Sequence, residues 1–453
     1  MRSSGLALAP FHAVRFDPDR VSGLADVTSP PYDVIGPGVV ARLLAAEPHN
    51  IVRLILPGAG SPQPPRGPAA SALAAAQLRD WLGSGVLRPD PSPALYVYEQ
   101  SVPDGDGWVV VQRGLVGALR LVPAGSPAVL PHEDVMPGPV EGRRELMATT
   151  RANLEPIFLL YDGSAGPAAA TATATATATA LVDRVAETRA PLLTAVTDDG
   201  TRHQLWALTD PAEHAAVAAD LAPRTALIAD GHHRYAAYLK LQDQERGAGR
   251  GDGPWDYGLA FLVDSATYPP RIGAIHRVIP GLTPGRAAEM AKGAMRVKRL
   301  ERAAAEEVSA DGGLGRGVTA LAEAGRHGPA FLLTDGSEQY LLTGPAPDRV
   351  AEAMPAGHSA RWQRLPASVL RELLIQSVWG LADAEPDVLV IHGEPGAAVQ
   401  AARDAGGTAV ICNPESAADI RAVAENGERM PRKSTSFGPK PRTGLVLREW
   451  ADE

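Results

Sequence analysis

Ala226-Leu227-Ile228-Ala229-Asp230-Gly231-His232-His233-Arg234-Tyr235 is the stretch from which the rest of the chain is best read. Its apolar run predicts a strand over 225–229, and Gly231 then opens a helix reaching about Gln244. The first backbone N–H groups of a helix have no partner within it and favour anions. Arg234 adds a permanently charged, planar donor fork for phosphate or carboxylate. His232 and His233 fall on different helix faces, so at most one shares the Arg234 ligand and the other is an acid or base near neutral pH. Asp230 is placed to cap the helix or to bind a metal, and Tyr235 to contact the ligand. A capped helix with two structural histidines is the plain alternative. Against it, cations in a first turn oppose the helix dipole and gain nothing structurally without an anion. That reasoning makes Arg234 a phosphate ligand, with little part in the stability of the unliganded fold.

Upstream, Pro131-His132-Glu133-Asp134 is a Pro-limited loop whose His132 and Glu133 suit a base or a metal ligand. A helix near Glu141 to Ala152 follows. Arg144 and Arg151, seven apart, share roughly one face of it, and Asn153 comes directly after. Nearer the start, Pro30-Pro31-Tyr32-Asp33 is a stiff extended turn. Asn50 to Leu56 reads as a buried strand, and Tyr32, Asp33, Asn50 and Arg53 are candidates to line a pocket. Downstream, the Pro-limited loop from Gly427 to Lys440, with Met430-Pro431-Arg432-Lys433-Ser434-Thr435 inside it, joins cations to two adjacent hydroxyls and suits an anion. It lacks the spaced glycines of a P-loop. Hairpins are expected at Ala94–Leu121 and Leu192–Leu208, around Asp-Gly turns. Gly444 to Leu447 reads as a late strand.

These elements imply an α+β chain with mixed sheets and packed helices. A change of pattern near Pro280 divides it into 1–280, carrying the Asp-Gly-His-His-Arg turn, and 281–453, carrying the Lys-Ser-Thr loop. The Ala-Thr alternation from Ala168 to Ala180 has no side chain larger than Thr, and it reads as a weak surface helix or a disordered, dispensable tract. With 45% hydrophobic residues the 453-residue chain can bury a sizeable core. A formal net charge of −9 disfavours nucleic acid, whose binding depends on Lys and Arg meeting phosphate. One cysteine, Cys412, excludes an internal disulfide and a Cys-based zinc site. No apolar run is long enough for a membrane span or a signal-peptide core, which makes the cytoplasm the default expectation.

On these motifs the chain resembles the domain of unknown function 1015 proteins. The matching stretches are Pro30 to Ile35, Asn50 to Leu56, Pro131 to Glu133, Ala152 to Phe158, Ala229 to Tyr235 and Met430 to Thr435. It departs at Asp134, where a basic residue is more usual, and at the Ala-Thr tract. The Asp-Gly-His-His-Arg turn is also similar to the signature of the ParB and sulfiredoxin-like superfamily, in which a strand-turn-helix holds nucleotide phosphates. The resemblance implies a small-molecule phosphate-handling enzyme, transferring a phosphoryl group or hydrolysing a phosphoester on a serine- or phosphoserine-like substrate. Arg234 and the helix N-terminus would hold phosphate, and His232, His233, His132 or Glu133 would move the proton. Lys433, Ser434 and Thr435 would close on the anion, and Arg151 and Asn153 would assist. Mg²⁺ at Asp230, with a nucleotide or pyrophosphate, is the implied cofactor set. The competing reading is a ParB-like nucleotide-binding regulator or DNA-segregation switch without turnover.

Overall fold

The Ala226–Asp230 run forms a strand, and Gly231 carries the chain into a helix over His232–Gly247. The structure is a computed structural model, and it describes residues 5–164, 177–301 and 314–450. Two compact units emerge, Met1–Pro270 together with Pro439–Glu453, and Arg271–Gly438. The described residues from Pro439 onward thus belong with the first unit.

The first unit is built on a nine-stranded mixed sheet. Its order is Val129–Leu130, Ala226–Asp230, Ile157–Tyr161, Tyr257–Asp264, Gly107–Arg120, Leu95–Asp104, Arg202–Leu208 and Leu193–Val196, with Leu8–Ala9 beside Gly107–Arg120. Alternation assigns one face to a core of Leu95, Val97, Leu115, Leu159, Ile228 and Leu262. The helices Pro137–Thr150, Ala178–Thr188, Pro211–Leu221 and His232–Gly247 supply Met147, Val185, Leu221 and Leu241 to it. On the alternate positions, the Phe158 and Phe261 rings stack at 5.7 Å and Tyr98 meets Phe261 edge-on at 4.9 Å. A four-stranded sheet, Leu87–Pro89, Ala13–Phe16, Leu447–Glu449 and Ala152–Asn153, ties the returning C-terminal segment into this unit.

The second unit holds a six-stranded antiparallel sheet, ordered Arg296–Arg299, Gln339–Thr343, Ala330–Thr334, Thr408–Cys412, Ile275–Ile279 and Leu389–His392. Helices Gly315–Gly325 and Pro395–Asp404 bury Leu321, Val399 and Ala402 against Val278, Leu332 and Ile411. Among the described residues, no helix is long and apolar enough to cross a membrane.

Two sequence expectations fail for local reasons. Asn50 to Leu56 is not a strand; Val52–Ile55 is a short helix. The Asn50 amide accepts the Val52 N–H at 2.9 Å, a side-chain turn that starts a helix, while the run is buried on every side and so shows no period. The late strand is Leu447–Glu449, three residues beyond its expected start, because Gly444 has φ +98° and turns the chain. Of the Ala-Thr tract, residues 168–176 lie outside the described residues. Thr177 caps the following helix by accepting the Ala180 N–H at 3.1 Å, and Ala178, Leu181, Val182 and Val185 are buried.

Candidate functional site

A register shift between Ile228 and Asp230 decides where the motif points. Ile228 lies opposite Leu159 on the helix-packed face, and a regular strand would send Asp230 to the same side. The bulge instead sets Asp230 opposite Phe158, on the other face. Gly231 then turns the chain with φ +92°, and a Cβ there would sit 2.9 Å from Ile157 Cγ2 and 3.2 Å from Arg234 Nε. Only glycine serves both demands.

Asp230 does not cap the helix. The N-cap residue is Gly231, with no side-chain cap bond, and the Asp230 carboxylate is committed to two cations. Arg234 Nη2 donates to Oδ2 at 2.5 Å, and Lys440 Nζ pairs with Oδ1. Arg234 is 1% exposed, and its Nη1 donates to the Pro156 carbonyl at 2.6 Å. Burial opposes its charge, but Glu155, Asp230 and Asp33 outweigh that and hold it above the ordinary arginine range. A first-turn cation does gain structurally here, because a carboxylate one turn away matches it. The expected Mg²⁺ does not fit these donors, since cations already hold both Asp230 oxygens. Among the described residues no group of three His, Cys, Asp or Glu is arranged to hold a metal ion.

Behind this pair lies Glu155, 4% exposed. It accepts the Tyr32 backbone N–H at 3.0 Å and the Thr443 hydroxyl at 3.4 Å, with Arg143 Nη1 at 3.8 Å. Burial raises its pKa, and Arg234 and Arg143 counter only part of that. The Arg143 guanidinium lies over the Tyr32 ring at 4.3 Å. Burial, then the Asp33 charge, pushes the Tyr32 phenol up to about 12. Lys440, Glu155 and Arg143 are not among the expected site residues, although Lys440 closes the expected anion loop and Arg143 stands beside Arg144 in the upstream motif. The available signals were an acidic residue before Pro156 in an apolar run and the Pro-Lys-Pro-Arg string at 439–442.

The histidines and the Pro131–Glu133 segment form one assembly. The His132 backbone N–H donates to His232 Nε2 at 3.2 Å, and the Met136 N–H donates to His233 Nε2 at 3.0 Å. The two motif imidazoles therefore hold both ends of the His132–Met136 loop. Accepting at Nε2 places the proton of the neutral His232 ring on Nδ1, 4.0 Å from Glu133 Oε2. His132 Nδ1 lies 2.7 Å from the Ile228 carbonyl, which can only accept, so its neutral ring is unprotonated at Nε2. That Nε2 is 3.9 Å from Glu133 Oε1. The rings meet edge-on with centroids 4.5 Å apart. Glu133, 31% exposed at its side chain, thus faces a donor on one ring and an acceptor on the other.

Other expected site residues are engaged elsewhere. Asn50 donates to the Asp26 and Thr28 carbonyls at 2.6 and 3.0 Å and is fully buried. Arg53 donates to the Leu44 carbonyl at 3.0 Å. Asn153 accepts from the Leu259 N–H and from Arg448, both at 3.1 Å. Tyr235 is core, with its hydroxyl 3.4 Å from the Val122 carbonyl. Arg151 lies in the left-handed region at φ 52° and lines a small pocket with Glu245 and Trp450. Glu245 lies thirteen residues along the helix from His232, about 20 Å at 1.5 Å per residue, so Arg151 is remote from the motif. In the second unit, Lys433 is exposed at φ 55°, Ser434 donates to the Pro431 carbonyl at 2.7 Å, and Thr435 is buried.

A family profile described as "Protein of unknown function (DUF1015)" matches residues 8–368, more than half of the chain. The chain belongs to the DUF1015 family. The match in this DUF1015 protein takes in the Glu133 loop and the Asp230 turn and ends before the Lys433 loop and Lys440. No curated protein matches it. Among solved structures, the DUF1015 chain is similar to a free serine kinase variant in complex with ADP. The identity is 14%, with 68% of this chain and 84% of that chain covered and a TM-score of 0.32. It is also similar to C-terminally truncated SbnI from Staphylococcus aureus, at 11% identity, 71% and 82% coverage and a TM-score of 0.33. A conserved hypothetical protein from Pyrococcus furiosus gives 12%, 70%, 90% and 0.32. Scores this low assign no residue of the DUF1015 site a role.

Proposed function

We propose that the first unit is a phosphate-handling enzyme in which Glu133 is the proton acceptor. The observation that supports this is the placement of its carboxylate about 4 Å from both His132 Nε2 and His232 Nδ1 while it stays in reach of solvent. His232 Nδ1–H would orient the carboxylate, and His132 Nε2 would take the proton onward. In phosphoryl transfer, Glu133 would accept the proton of a substrate hydroxyl as that oxygen bonds to phosphorus and the bond to the leaving oxygen breaks. In phosphoester hydrolysis the hydroxyl is that of water. His233 is then a positioning residue, holding the loop by its Met136 end. Lys440, 22% exposed, is the cation best placed to meet a phosphate beside Asp230. The helix N-terminus at Gly231 adds oriented N–H groups.

A serine- or phosphoserine-like substrate, and a nucleotide or pyrophosphate as donor, come from the resemblance of the Asp-Gly-His-His-Arg turn to the ParB and sulfiredoxin-like signature. They are not read from this geometry. In this reading Asp230 and Arg234 act by positioning. The test is a thermal-shift screen of nucleotides, pyrophosphate, serine and phosphoserine, followed by turnover assays on whatever binds. Glu133→Gln should keep binding and lose on the order of 10²–10⁴-fold in turnover, the usual worth of a general base. A protein that binds nucleotide without releasing product is instead a switch. Unchanged turnover in Glu133→Gln removes the acid–base assignment.

A further inference from the structure

In the second unit, Glu415 follows the Thr408–Cys412 strand and is 6% exposed. Its Oε1 accepts the Ala367 N–H at 2.8 Å, while Oε2 is buried without a partner. The carboxylate and Asn413 line a cavity of about 20 Å³, closed by Ile275, Phe331 and Leu370. That is room for a group the size of one water. Arg277 and Arg371 also stand in the wall. Arg277 donates to the carbonyls of Arg432 and Lys433 at 3.2 and 3.1 Å, with its Nε 3.4 Å from Asp383. Arg371 Nε lies 3.4 Å from Glu372 and 3.7 Å from Asp383, in ion-pair reach of both though without a hydrogen bond among the described residues. The nearby Asp419 adds negative charge, and burial pushes the Cys412 thiol up to about 12, so it carries no charge at neutral pH. Among the described residues no donor reaches Glu415 Oε2, and such a buried carboxylate oxygen is costly to leave unmatched.

We propose that this cavity is the seat of a primary ammonium group, held by Glu415, on a small molecule whose acidic end meets Lys433. An ammonium is the size of a water but brings the positive charge that a water lacks. Lys433 lines the same cavity with an exposed side chain, on a loop whose carbonyls Arg277 pins in place. One unmatched acceptor inside and one cation at the rim together describe a zwitterion. The molecule would seat its ammonium end inside and leave its acidic end at the mouth.

Calorimetric titration of the full chain tests this with β-alanine, ethylammonium and propionate, none of which changes charge between about pH 6 and about pH 8. β-Alanine should bind most tightly, ethylammonium more weakly and propionate least. Binding of both amines should strengthen across that pH range, because the Glu415 acid, raised by burial to about 7, must ionise first. Glu415→Gln keeps an acceptor for Ala367 and should weaken both amines about tenfold or more and abolish their pH dependence. Lys433→Ala should weaken β-alanine and leave ethylammonium unchanged. The pH series uses the unaltered chain, so it decides the matter even if a variant folds poorly. Propionate binding as well as β-alanine, amine binding indifferent to pH or to Glu415→Gln, or no amine heat at tens of millimolar would each overturn the assignment, leaving a water-filled cavity.

Discussion

Removing Arg234 should damage the fold before it damages any ligand affinity. The side chain is 1% exposed, with Nη2 on Asp230 at 2.5 Å and Nη1 on the Pro156 carbonyl at 2.6 Å. Breaking a buried pair by deleting one partner costs about 3–5 kcal/mol, because the other charge stays buried. In Arg234→Ala, Asp230 keeps Lys440, so the loss should fall near the lower end, about 3 kcal/mol. In Asp230→Ala, Arg234 keeps the Pro156 carbonyl and the fields of Glu155 and Asp33 but loses its paired carboxylate, so the loss should approach about 5 kcal/mol. The double variant should lose less than the sum of the two by about 1–3 kcal/mol, since they share one interaction. Urea melts of the full chain measure these losses. Amide exchange in the Ala226–Asp230 strand assigns them to the first unit, which matters because two units need not unfold together. An Arg234→Ala protein within about 0.5 kcal/mol of the parent, with phosphate affinity down tenfold, would refute the buried-pair account and restore Arg234 as a ligand clamp.

Gly231→Ala should destabilise by at least about 1–2 kcal/mol, the cost of a left-handed non-glycine residue, with the contact to Ile157 adding more; a thermal melt reads it. His233→Ala should speed amide exchange at Met136 while leaving the His132 amide protected by His232, and equal exchange at both sites would contradict the two-point anchoring. Deleting 168–176 should leave folding and ligand binding unchanged, whereas extending the deletion through Ala178 should cost stability, because Ala178 is buried and its N–H donates to Asp220 at 3.0 Å. Glu415, raised from an ordinary 4.5 to about 7, binds a proton in the fold that the unfolded chain has already lost. Its contribution is therefore full below about pH 4.5 and is lost as pH rises toward 7, by up to about 3 kcal/mol at 1.36 kcal/mol per pH unit. Melts of the second unit between pH 5 and 8 should show that decline, and Glu415→Gln should flatten it.

Much was legible from residues alone. The α+β class, both hairpins and the strand-turn-helix at Asp230 follow from period, turn chemistry and glycine placement, all of which act over a few residues. The family motifs likewise sit in contiguous strings. What only the tertiary structure decided is pairing. A bulge at Ala229 reverses the direction of Asp230, and no local signal announces a register that depends on the neighbouring Ile157–Tyr161 strand. Lys440 reaches Asp230 across 210 residues of sequence, and Glu155 joins Tyr32 across 123. The bulge that aims Asp230 across the sheet lets it pair with Arg234, which becomes half of a buried ion pair, and the Asp26 and Thr28 carbonyls make Asn50 a turn pin and not a pocket residue. A sequence states which residues can carry charge or accept a proton; whether each is already answered by a partner is set by long-range packing.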